Sequence, residues 1–139
     1  MSSRAELTEQ VQSRAVDRCE YCLMHQALQG ASFHVEHIMP ASLGGATELH
    51  NLAWACPSCN LHKSSRIEAT DPNSGDSVRL FNPRTDRWLD HFRWEGYRVE
   101  GLTDTGRATV VALMLNSFRR LLIRQAEEGF DLFPPGEGS

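Results

Sequence analysis

Apolar positions near the start of the chain recur at helical spacing. Leu7, Val11 and Ala15 fall at i, i+4 and i+8 behind Ser2 or Ser3 as an N-cap, which predicts a packing helix over residues 3–17. After a polar or small connection at residues 23–32 the period changes to two. Phe33, Val35 and His37 alternate with His34 and Glu36, predicting a strand over residues 32–38. Pro40 and the Gly44-Gly45 pair mark a loop, and residues 49–55 read as a second strand with Leu52 and Trp54 on one face. Pro57 suits the first turn of a helix running through Asn60 and Lys63 to about Ile67. Residues 69–78 are turn-rich, residues 79–82 form a short strand ending at Pro83, and two more strands are expected around Glu95-Gly96. The strongest helical stripe comes last. Val110, Leu113, Met114, Phe118, Leu121 and Leu122 predict one long helix, capped by Asp104 or Thr105, ended by Gly129 and kept from continuing by Pro134-Pro135. Only the last few residues look disordered. The order of elements gives an α+β class: strand, loop, strand and helix in the middle, a helix before them, and a strand-plus-long-helix extension after.

The chain has 139 residues, 40% of them apolar, so one domain is expected over 1–139: the N-terminal helix (3–17), a central core (19–67) and the extension (79–129). A core of this size often needs a staple. Cys19/Cys22 and Cys56/Cys59 form two Cys-x-x-Cys pairs. Each places two sulfurs on one side of a turn, and together they close a tetrahedral zinc shell with no position left for water, so the expected Zn²⁺ is structural. A thiol redox protein would need only one such pair with a free, acidic thiol. No apolar leader and no stretch of roughly 18 apolar residues is seen, so the expected location is cytoplasmic, without membrane attachment. The formal charge is −4. Four thiolates and one zinc ion lower it to about −6, and no segment is strongly basic. A nucleic-acid substrate would be held with modest, salt-sensitive affinity.

Within the loop that the cysteines tie off lie His34-Val35-Glu36-His37, then Asn51, then Asn60-x-x-Lys63. A neutral imidazole can take a proton from water at cellular pH. Glu36 and His37 are neighbours on a strand and point to opposite faces, so one can bind a metal while the other addresses water. Asn60, on the following helix, can offer its amide oxygen to the same hard cation. A divalent ion lowers the barrier to phosphodiester hydrolysis by contacting a non-bridging oxygen and the departing one.

The segment His34-Val35-Glu36-His37-Ile38-Met39-Pro40-x-Ser42-x-Gly44-Gly45, with Asn51-Leu52 and Cys56-x-x-Cys59-Asn60-x-x-Lys63, resembles the HNH endonuclease family, whose core is a ββα-metal finger. Phe81-Asn82-Pro83-Arg84, His91-Phe92-x-Trp94 and Gly101-Leu102-Thr103-x-x-Gly106-Arg107-Ala108-Thr109 are similar to a bacterial subgroup with a C-terminal extension. The likeness runs over about residues 17–125. It implies His37 as general base and Asn51 as the residue that steadies the catalytic loop. Glu36 stands where the family usually has Asp, and Asn60 where it often has His. Both would be ligands of a catalytic divalent ion, and their oxygen donors favour Mg²⁺ or Mn²⁺. His34, His62, Lys63 and Arg66 would meet substrate phosphates.

The leading expectation is therefore a metal-dependent endonuclease acting on double-stranded DNA with low sequence specificity, its affinity supplied by a homodimer or a protein partner. The competing one is a non-catalytic zinc module that binds nucleic acid or protein. Arg107 is expected either to meet an anion or to pair with Asp104 or Glu100. Arg119, Arg120 and Arg124 are expected on the solvated face of the last helix.

Overall fold

The computed structural model describes residues 3–136. Ser2 and the terminal residues expected to be disordered lie outside that range. The first helix, α1 (Arg4–Arg14), starts at Ser3, whose hydroxyl accepts from the Glu6 amide, and it buries Val11. A two-stranded antiparallel sheet follows, β1 (His34–His37) and β2 (Leu52–Ala55), in the register His34–Ala55 to His37–Leu52. Then comes α2 (Pro57–Lys63), with Pro57 in its first turn. This is the expected ββα order. The helix stops at Lys63 rather than Ile67 because Ser64 takes a positive φ of 51° and its amide closes the last turn on the Asn60 carbonyl.

The turn-rich stretch is a hairpin of β3 (Glu68–Thr70) and β4 (Ser77–Arg79). Its turn is held by Asp71, whose carboxylate accepts from the Asn73 amide and the Ser74 hydroxyl. A short α3 (Trp88–His91) leads into the expected hairpin, β5 (Phe92–Glu95) with β6 (Arg98–Gly101). The extension is fastened to the finger by its aromatic core. The Trp88 indole donates to the Tyr21 carbonyl at 3.0 Å, and Phe81 meets Tyr21 edge to face.

The single long helix is not formed. The chain makes α4 (Asp104–Ala112) and α5 (Phe118–Glu128), with Thr103 rather than Asp104 or Thr105 as the cap of α4. Leu113 and Leu115 are both fully buried. Two residues apart, they cannot share one face of a continuous helix. The chain breaks between them, with Met114 at φ 51°, and Asn116 bonds both the amide and the carbonyl of Val99 on β6. The apolar stripe is accordingly split, leaving Met114, Phe118 and Leu122 exposed. Gly129 caps α5 as expected. Among the described residues no helix is long and apolar enough to cross a membrane.

Candidate functional site

The four cysteines converge. Their sulfurs all lie within 4.8 Å of one another and all four residues are buried. Sulfurs at the corners of a tetrahedron with 2.3 Å metal bonds stand about 3.8 Å apart, and Cys22 Sγ and Cys56 Sγ are separated by 3.8 Å. Local structure explains the convergence. Cys19 and Cys22 sit on a knuckle closed by the Cys19 amide on the Met24 carbonyl and by the Leu23 amide on the Cys19 carbonyl. Cys56 is the N-cap of α2, its sulfur accepting from the Cys59 amide. Burial pushes the Cys19 and Cys59 thiols well above their ordinary value, while at Cys22 burial is outweighed by hydrogen bonds from the neighbouring thiols and by the Arg120 charge, which hold it well below its own. Four sulfurs this close, in a buried interior, form the donor set of a closed tetrahedral metal site.

Arg120 and Arg124 differ from expectation. They are not on a solvated face but are 1% and 0% exposed. Arg120 Nη1 donates to Cys59 Sγ at 3.2 Å, while Nη2 reaches the Ser58 hydroxyl at 2.7 Å. Burial works against the Arg120 charge, but the neighbouring Cys59, Cys22 and Cys56 sulfurs outweigh it and push its pKa up.

Glu36 and His37 point to opposite sides of β1, as alternation requires, but the Glu36 side is interior. α2 lies over it, and Glu36 is 5% exposed. One carboxylate oxygen accepts from the Tyr21 hydroxyl at 2.5 Å and the other from the Lys63 ammonium at 2.8 Å. Lys63 departs from the sequence expectation. It is 2% exposed, and its ammonium also reaches the Ile38 carbonyl at 3.0 Å and the His37 carbonyl at 3.4 Å. An ammonium held by three interior acceptors is not presented to a phosphate outside. Asn60 is half-buried, and its side-chain amide makes no hydrogen bond among the described residues.

On the other side of β1, His37 is half-buried, with Nε2 2.9 Å from Thr47 Oγ1. The loop between His37 and Thr47 is clamped by Asn51. The Asn51 amide oxygen accepts from the Met39 amide at 2.9 Å, and its nitrogen donates to the Met39 and Ala46 carbonyls at 3.0 and 2.9 Å. Gly45 passes against this clamp so closely that a Cβ would overlap the Met39 carbonyl and stand 2.9 Å from Asn51 Nδ2. Gly44, at φ 88°, makes the left-handed turn before it. His34 is exposed on β1. His62 Nδ1 lies 2.7 Å from the Ser58 carbonyl, and Arg66 Nη2 donates to the His62 and Ala112 carbonyls.

Glu36, Lys63 and Tyr21 thus form one cluster, His37, Thr47, Asn51 and Gly45 a second, and the cysteines with Arg120 a third. Sequence reasoning missed Tyr21, Thr47 and Arg120. Tyr21 had a signal in its place between two metal-binding cysteines. Thr47 and Arg120 had none, since only the fold brings them to His37 and Cys59. Arg107 pairs with neither Asp104 nor Glu100 but holds Asp71 through two nitrogens at 3.0 and 2.9 Å.

The Septu protein PtuB of Bacillus thuringiensis is 26% identical to this chain over 108 residues, covering 76% of the chain and 39% of that protein. The chain thus spans well under half the length of that relative. No solved structure matches it significantly. The α+β arrangement with four clustered cysteines agrees with a ββα-metal fold, and residues 19–66, which hold all three clusters apart from Arg120, match the HNH endonuclease family.

Proposed function

We propose that the protein is a metal-dependent endonuclease that hydrolyses phosphodiester bonds in DNA, with a structural Zn²⁺ in the four-cysteine site. The observation that carries this reading is the anchored His37: an imidazole at the end of β1 with one ring nitrogen on Thr47, beside a loop whose shape is set by a buried Asn51. A binding module has no need of an imidazole anchored beside a clamped loop. In the tautomer this reading requires, Nε2–H donates to Thr47 Oγ1 and the Nδ1 lone pair is left to take the proton from the attacking water. Asn51 and Gly45 keep the loop, and with it Thr47, in register with β1. Exposed His34 and, farther along, His62 and Arg66 are the side chains offered to the phosphates on either side of the cut.

Glu36 and Asn60 suit a hard divalent ion by donor type, a carboxylate and an unpartnered amide oxygen. The Glu36 oxygens have lone pairs beyond the two in use, and Lys63 would yield its place on one of them. When bound, Mg²⁺ or Mn²⁺ would supply charge stabilisation to the phosphate and its leaving oxygen. With a net charge of −4, binding to double-stranded DNA is expected to be weak, sensitive to salt and of low sequence specificity, with a second copy or a protein partner supplying the remaining affinity.

The test is cleavage of supercoiled plasmid at low salt with no metal, Mg²⁺, Mn²⁺ or EDTA, beside His37→Ala. Metal-dependent nicking that the variant lacks is the expected result. An inert wild type that is folded and zinc-loaded would turn the assignment to a binding module.

A further inference from the structure

We infer that Arg120 and Arg124 form the charge-balancing outer shell of the four-cysteine metal site, and that through them bound metal holds α5 against the finger. The inference rests on the reading that these cysteines hold a divalent ion.

The two guanidiniums are buried with no carboxylate at ion-pair distance among the described residues, and the Nε of each is buried with no hydrogen bond. Arg120 bonds Cys59 Sγ, the Ser58 hydroxyl and the Leu113 carbonyl, at 3.2, 2.7 and 2.9 Å. Arg124, one turn along α5, bonds the Tyr97 and Leu115 carbonyls at 2.9 and 2.8 Å and lies over the Trp94 ring. The buried carboxylate nearby, Glu127, accepts from the His25 amide and lies in the fields of both Arg18 and Arg124.

A buried charge needs a counter-charge. Carbonyls solvate these cations but do not neutralise them. Four thiols or two disulfides would be neutral, leaving Arg120 uncompensated and Arg124 with only Glu127, which it shares with Arg18. Four thiolates around one divalent ion carry −2, which two guanidiniums match. Arg120 also supplies a donor to a ligating sulfur, the kind of contact that orients a ligand and tunes its metal. Both arginines belong to α5 and bond the ends of the Leu113–Leu115 break. The metal's charge is thereby coupled to the docking of the last helix.

The experiment uses the full, zinc-loaded chain and follows transfer of Zn²⁺ to a chromogenic chelator. The variants are Arg120→Met, Arg120→Lys, Arg124→Met and, as a packing control, Ile123→Ala, a half-buried α5 residue that touches the core. Arg120→Met should release zinc about 10–100-fold faster, Arg124→Met less so, and Arg120→Lys should recover part of the loss. Ile123→Ala should lower Tm without a matching change in release. In wild type, chelation should raise amide exchange across residues 118–128 ahead of α1. Release from a folded Arg120→Met at the wild-type rate, or equal acceleration by Ile123→Ala, overturns the inference. If the methionine variants do not fold, the lysine variant and the exchange arm decide, and unchanged α5 protection after chelation refutes it. Wild-type zinc content far below one per chain would instead overturn the metal reading and this inference with it. None of these readouts depends on cleavage.

Discussion

Glu36 and Lys63 form a buried ion pair in the middle of the finger, and removing one partner isolates a charge. In Lys63→Met, Glu36 keeps only the Tyr21 hydroxyl, and the Ile38 and His37 carbonyls lose their donor. In Glu36→Gln, the amide keeps an oxygen for Tyr21 but turns its NH₂ toward a buried ammonium. Breaking a buried pair from one side costs about 3–5 kcal/mol. At about 3–4 °C per kcal/mol for a domain of this size, that is a fall in Tm of roughly 10–20 °C. Replacing both partners removes both charges together. The double variant should therefore recover at least about 2 kcal/mol of the summed losses, a coupling within the range for residues in contact.

Urea unfolding of the four zinc-loaded proteins measures the cycle, and Tm in Mn²⁺ extends it. If Lys63 stands in the place of the divalent cation on Glu36, Lys63→Met should gain more Tm from Mn²⁺ than wild type does. The reasoning is refuted if each single variant loses less than about 1 kcal/mol and the losses add within about 0.5 kcal/mol. That would mean the pair is open in solution and Glu36 is free without displacing anything.

Asn51→Ala deletes three part-buried hydrogen bonds to the loop and should lose about 3 kcal/mol by thermal or urea unfolding, with nicking abolished while zinc is retained. Gly45→Ala forces a Cβ into the Met39 carbonyl. It should remove cleavage and at least about 2 kcal/mol of stability, whereas Ala at exposed Ser42 should do neither. Asp71 is held below the ordinary carboxylate range, first by its bonds from Arg107 and then by the Asn73 amide and the Ser74 hydroxyl. Its contribution is therefore present above the unfolded pKa of about 3.9 and lost as pH falls below it. Tm of wild type should drop more steeply than that of Asp71→Asn between about pH 4.5 and 3, and equal slopes would dismiss the pair as a source of acid sensitivity.

What was legible in the sequence was what local pattern controls. The period-two stretch at residues 32–38, Pro57 and the paired cysteines specify strand, helix start and thiol cluster from positions a few residues apart, and each appears in the structure. The errors share a cause. Leu113 and Leu115 are both wanted in the core, and meeting that demand costs the helix its continuity, which no helical stripe can reveal. Lys63, Arg120 and Arg124 were placed outside because charged side chains usually are. Each is buried because a partner far along the chain holds it: Glu36 for Lys63, Cys59 for Arg120, and the Tyr97 carbonyl and Trp94 ring for Arg124. Glu36 shows the consequence for function. Its place in the motif marks it as a ligand, yet its surroundings make it one end of an ion pair that supports the strand carrying His37. These roles are compatible only if Lys63 can yield. The motif nominates candidates for the site, while buried Lys63 inside the motif and Arg120 outside it, whose partners only the fold brings to them, constrain what those candidates can do.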